Sequence, residues 1–169
     1  MSGRRTPGSS GSRRPSRLRV DVSDEQQVAD VDTARLAAGV RRVLEGEGLR
    51  RAEVSVAVVD NAHIHQLNRQ YLNHDYATDV LSFVLSEPGE PLEGEIIVSA
   101  EMAQQRADEF GWDWPDELLL YAIHGTLHLC GHDDHDDTQR QLMRQREMHY
   151  LAGWTTVPPS DRPREGGGP

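Results

Sequence analysis

The sequence predicts an α+β fold, a small mixed four-stranded sheet packed with about five helices. Three observations carry this expectation. The apolar spacing switches repeatedly between strict alternation and the three-to-four step of a helix. Strand patterns come first, mixed with helices, and three helical patterns then follow in succession. The length, 169 residues, suits one domain and is short for two.

The elements follow in order. Leu18-Arg19-Val20-Asp21-Val22 alternates, as a short strand does. Asp32 can cap a helix running to about Glu47, with Leu36, Val40, Val43 and Leu44 on one face and Gly48 stopping it. Val54 to Val59 is a second strand, and Asp60-Asn61 opens a helix carrying Ile64, Leu67, Asn68 and Tyr71. Val80 to Leu85 is a third strand, interrupted by Pro88-Gly89 and Pro91, and Gly94 to Val98 is a fourth. Ser99 caps a helix that ends at Gly111. Pro115 suits the first turn of the next, which runs to about Leu129, and a last helix spans about Thr138 to Ala152.

Both ends differ from this body. Residues 1–17 form a basic Arg/Ser/Gly tail and residues 155–169 a Pro- and Gly-rich one, compositions that bury too little apolar surface to order themselves. A single domain at 18–154 remains. Residues 1–19 hold six arginines and no acid, leaving 12 arginines against 28 acids in the rest, a balance of −16. So acidic a body is not a generic nucleic-acid binder, and any contact with RNA or DNA has to pass through a local cleft or a metal. No apolar run is long enough to span a membrane. A lone cysteine, Cys130, excludes an internal disulfide framework and points to a reducing compartment.

The chemistry lies in one segment, His124-Gly125-Thr126-Leu127-His128-Leu129-Cys130-Gly131-His132-Asp133-Asp134-His135. His124 and His128 are four apart on a predicted helix, so their rings project from one face, a turn apart. Two imidazoles at that spacing can close on one zinc ion. Gly131 falls where the helix should stop and the chain turn back, bringing a third ligand onto the metal. Asp134 is favoured by its spacing, with His135 the main competitor and His132 closer to the helix. Three protein ligands leave a fourth position for water, the mark of a catalytic site. Asp133 then orients a histidine from behind or accepts a proton from that water. Cys130 is a possible soft ligand, although packing is the simpler reading. Gly125 stands where a zinc peptidase of the H-E-x-x-H type carries its glutamate base, and Glu117 lies too far along the helix to replace it.

The stretch from His124 to Asp134 resembles the signature H-G-x-L-H-L-x-G-[YH]-D-[HD] of the YbeY endoribonucleases, bacterial metal-dependent enzymes. Leu67-Asn68-x-x-Tyr71 followed by Asp75, and Thr78-Asp79-Val80-Leu81-Ser82-Phe83, are similar to that family's second block, and Gly94 to Ser99 to its third. The resemblance covers about residues 52–152. It implies a cytoplasmic hydrolase of single-stranded RNA in ribosomal RNA maturation, especially at the 3′ end of the small-subunit RNA, and in ribosome quality control. Ribosomal RNA and the small ribosomal subunit are the implied partners. His124 and His128 match the first two zinc ligands. The third is usually histidine, and the matching residue is Asp134, a harder ligand that shifts the site towards Mn²⁺ or Mg²⁺. Many members carry Arg after the tyrosine, where this chain has Leu72. Arg69 is a candidate substitute, more simply read as a solvent-facing charge. A non-catalytic, zinc-stabilised ribosome-assembly factor is the alternative reading, and a metallopeptidase a weaker one. An all-helical HD-type phosphohydrolase, suggested by His132-Asp133 and His135-Asp136, conflicts with the four strands.

Overall fold

The computed structural model describes residues 17–72 and 78–155. The expected tails lie outside them apart from Arg17 and Thr155, as does Asp75. The chain runs β1 (Arg17–Asp24), α1 (Thr33–Gly46), β2 (Arg51–Val59), α2 (Asn61–Leu72), β3 (Val80–Val84), β4 (Leu92–Ser99), α3 (Ala100–Phe110), α4 (Trp114–Leu129) and α5 (Asp137–Leu151). This is the α+β fold expected, with four strands and five helices.

Local chemistry sets the helix ends. The Asp32 carboxylate accepts from the amide of Arg35 at 3.0 Å, and the Ser99 hydroxyl from that of Met102 at 3.1 Å. Gly111, at φ 71°, closes α3 in the left-handed conformation that costs glycine nothing.

The sheet order is β1-β2-β4-β3, with β1, β2 and β4 parallel and β3 antiparallel to β4. β1 and β2 are longer than their apolar alternation alone suggested. Arg17 pairs with Arg51 and Arg19 with Glu53, so charged side chains on the solvent face continue the ladder. At the other end Thr155 bridges to Ala152.

One sheet face carries Leu18, Ala52, Val54, Val56, Val58, Ile96 and Val98 into the main core with α1, α3, α4 and α5. Each fully buried valine or isoleucine contributes about 1.5–3 kcal/mol. The opposite face is covered at one end, where Ile64 and Leu67 of α2 pack on Val59, Leu81, Ile97 and Phe83.

Helix α4 is the centre of the main core. Every residue from Glu117 to Leu127 is buried, so it is apolar nearly all round, as a helix enclosed by other elements must be. Glycines let it approach the sheet. A Cβ on Gly125 would stand 2.8 Å from Ile96 and 3.2 Å from Val80, and one on Gly94 would stand 2.7 Å from Leu129. No helix among the described residues is long and apolar enough to cross a membrane.

Candidate metal centre

α4 presents His124 and His128 near its C-terminal end, and a compact turn then reverses the chain. The Gly131 amide donates to the His128 carbonyl at 3.0 Å, and the His132 amide to the Leu127 carbonyl at 3.1 Å. This is a Schellman motif, with Gly131 at φ 98° in the position that favours glycine. The turn returns Asp134 to the last turn of α4.

Three ligand atoms meet there. The Nε2 atoms of His124 and His128 are 2.9 Å apart, and the Asp134 Oδ2 is 3.6 Å from each. A tetrahedral ion with bonds of 2.0–2.1 Å needs donor atoms about 3.3 Å apart, between those two values. His124, His128 and Asp134 alone form such a group among the described residues. His135 is not brought in; its ring is exposed and lies 3.9 Å from the Asp133 carboxylate, itself exposed.

Two acids from distant elements brace this segment, and sequence reasoning missed both. The His124 Nδ1 lies 2.7 Å from Oε1 of Glu147 on α5, both side chains being buried. With Nδ1–H donating to this carboxylate, Nε2 turns its lone pair towards His128 and Asp134. A lone pair beside a second imidazole nitrogen and a carboxylate oxygen is the donor set of a cation, so the residues fit a divalent metal. Glu47, just beyond α1, holds the loop. Its Oε1 is 2.6 Å from the His132 Nε2, and its Oε2 is 3.8 Å from Arg146. The only signal of Glu147 in the sequence is a single acid within the buried stripe Met143, Tyr150 and Leu151 of α5.

The other singled-out residues divide clearly. Cys130 packs on the core outside the metal group, and its thiol is pushed up to about 12 by burial and then by the charge of Glu47. Glu117 is buried and accepts from the Trp112 indole at 2.8 Å, and Trp114 packs on the core. The Thr78 hydroxyl lies 3.4 Å from the Asp79 carboxylate, and the Asp79 carbonyl accepts from the Ser99 amide at 3.1 Å, which continues the β3–β4 pairing by one rung where a local turn was expected. Ser82 shares the face of Val80, towards α4. Arg69 is exposed on α2, His63 and His65 lie near that helix's start, and none of the three reaches the metal group.

Fold and site together define an α+β protein with a His-His-Asp group at the end of a buried helix, able to hold one metal ion. The family model described as Endoribonuclease YbeY matches residues 21–155. An Endoribonuclease YbeY of Salinibacter ruber is 34% identical over 149 residues, covering 83% of this chain and 95% of that protein. One of Pelotomaculum thermopropionicum is 40% identical over 143 residues, covering 78% and 93%. The solution structure of TM1509 from Thermotoga maritima superimposes with a TM-score of 0.55 at 25% identity, covering 90% of this chain and 99% of that one. The chain belongs to the YbeY endoribonuclease family.

Proposed function

We propose that the chain is a metal-dependent endoribonuclease that hydrolyses single-stranded RNA, acting in ribosomal RNA maturation at the 3′ end of the small-subunit RNA and in ribosome quality control. The convergence of the His124, His128 and Asp134 ligand atoms within 4.8 Å of one another carries this reading, together with the family. His124, His128 and Asp134 would hold one ion, zinc or, with the aspartate, Mn²⁺ or Mg²⁺. Such an ion supplies Lewis acidity for a phosphoryl oxygen and a water acidic enough to ionise near neutral pH.

The chain's own residues do the rest. Glu147 keeps the His124 ring in the tautomer that offers Nε2. Glu47, through His132, keeps Asp134 over the helix end. Asp133, exposed beside Asp134, is the proposed acceptor of the proton from the attacking water. Close packing of Gly125 against Ile96 and Val80 leaves no room for a peptidase-type glutamate there, which supports a nuclease over a metallopeptidase. Residues 18–154 act as one domain in the cytoplasm, and the arginine-rich residues 1–17 add affinity for RNA or the small subunit without taking part in the chemistry.

The test pairs metal content with RNA cleavage in wild type and in the Asp134→Ala, His135→Ala and Asp133→Asn proteins. Asp134→Ala is expected to lose both, and His135→Ala to keep both. Asp133→Asn should hold metal and cleave slowly. Wild type that binds stoichiometric metal and leaves single-stranded RNA intact would overturn the nuclease reading in favour of an assembly factor.

A further inference from the structure

Among the described residues, six large hydrophobic side chains are exposed, and four of them lie on two neighbouring segments. Tyr71 and Leu72 end α2, while Val84 and Leu85 end β3 and begin the turn after it. The two groups are joined by an edge-on contact of the Tyr71 and Phe83 rings, centroids 5.9 Å apart at 63°. Phe83 is half-buried and Tyr71 is 62% exposed, and strand alternation places Leu85 on the side of Phe83 and Val84 on the side of Val80.

The other face of the same edge strand runs beside the metal group. Val80 reaches Gly125 of α4, and Gly94, the ladder partner of Val84, receives Leu129. β3 therefore passes along the turn of α4 that carries His124 and His128. The chemistry of the patch is also selective. Phe83 pairs in register with Glu95, and the Leu85 amide donates to the Glu93 carbonyl, so acids border it on β4. A surface of aromatic and aliphatic groups bordered by carboxylates repels phosphates and accepts neutral, flat groups.

We propose that Tyr71, Phe83 and Leu85 form a platform on which unpaired bases of the RNA strand stack while its backbone rounds the edge strand β3 to the metal group. The inference rests on the nuclease reading and supplies its preference for single strands. Bases in a duplex keep their faces covered by their neighbours, whereas an unpaired base can turn a face to Tyr71. Acids on the base-binding side direct the phosphates to the other side, where the ion is held.

The experiment measures anisotropy of a short fluorescein-labelled oligouridylate and of a matching abasic strand on the full-length, metal-loaded protein, in the cold, with gels showing both strands intact. Wild type should bind the base-bearing strand about tenfold more tightly than the abasic one. Tyr71→Ala should remove that difference, Tyr71→Trp should keep it, and Leu85→Ser should reduce it in part. The exposure of Tyr71 and Leu85 keeps all three variants folded, which melting curves verify. Equal binding of the two strands by wild type, or an unchanged preference in Tyr71→Ala, overturns the platform while RNA cleavage leaves the nuclease reading standing. Sedimentation showing that Tyr71→Ala separates a dimer with RNA binding intact also overturns it, the patch being then a contact between two copies. Wild type that neither binds nor cleaves RNA overturns platform and nuclease reading together.

Discussion

The two histidines of the metal group and its aspartate reach the same point from different kinds of structure. His124 and His128 sit on α4, which α1, α3, α5 and the sheet enclose. Asp134 sits on a short, mostly exposed segment after the helix, tied down by the Gly131 turn, by the His132–Glu47 pair and by exposed contacts to α5, where Gln139 accepts from the His135 amide and Arg140 donates to the Asp134 carbonyl. Folding alone sets the histidine positions, because moving them means moving the core. The aspartate depends on a cap and a few side-chain contacts, each worth far less. One half of the site is thus as stable as the protein, and the other opens locally at lower cost.

Removing the support of the buried half should have the largest effect. Glu147→Ala leaves the His124 Nδ1–H without its buried acceptor, which costs roughly 1–3 kcal/mol of metal-free stability. It should also lower metal affinity roughly 10–100-fold. Thermal melts and metal titrations would read both, and an unchanged affinity would break the comparison. Gly125→Ala overpacks α4 against Ile96 and Val80 and should cost about 1–3 kcal/mol in denaturant melts. The folded protein should still bind metal with nearly wild-type affinity.

The loop half predicts the reverse pattern. Gly131→Ala strains a residue at φ 98° and should cost roughly 1 kcal/mol of stability. Its loss of metal affinity, read by competition with a chelating dye, should exceed that of Gly125→Ala. The smallest effect falls at the joint between the halves. Cys130 ionises only at about 12, raised from 9.0, so folded protein should react slowly with iodoacetamide at pH 8. The sign follows from linkage: below pH 9 the thiol is neutral folded or unfolded, and above it only the unfolded chain ionises. Its contribution to stability is therefore lost as pH rises from 9 towards 12. Fast alkylation at pH 8 would show that the helix end frays with the loop.

Those differences also separate what the sequence disclosed from what it hid. Asp32, Ser99, Gly111 and Pro115 announce helix ends within a few residues of their partners, and the His124–His128 spacing is equally local. Asp134 was legible through the turn at Gly131. The braces were not, because Glu147 lies 23 residues from His124 and Glu47 lies 85 from His132. No local spacing connects such pairs; only packing of α5 and α1 against α4 does. The extent of β1 and β2 was hidden for a different reason, since arginine and glutamate on a solvent face do not interrupt a ladder. The edge position of β3 beside α4, which exposes the apolar patch, follows from a strand order that alternation alone leaves open.

The enclosure of α4 has a consequence for the order of assembly. Its neighbours come from both ends of the sequence, so His124 and His128 reach their final separation only after the sheet and the outer helices have closed. Metal capture is then a late event, a seal on a finished chain rather than a seed for it. Refolding rates should be indifferent to added zinc while unfolding slows in its presence, as expected when a ligand stabilises the native state and not the transition state. In stopped-flow experiments zinc would move one arm of the chevron and leave the other in place.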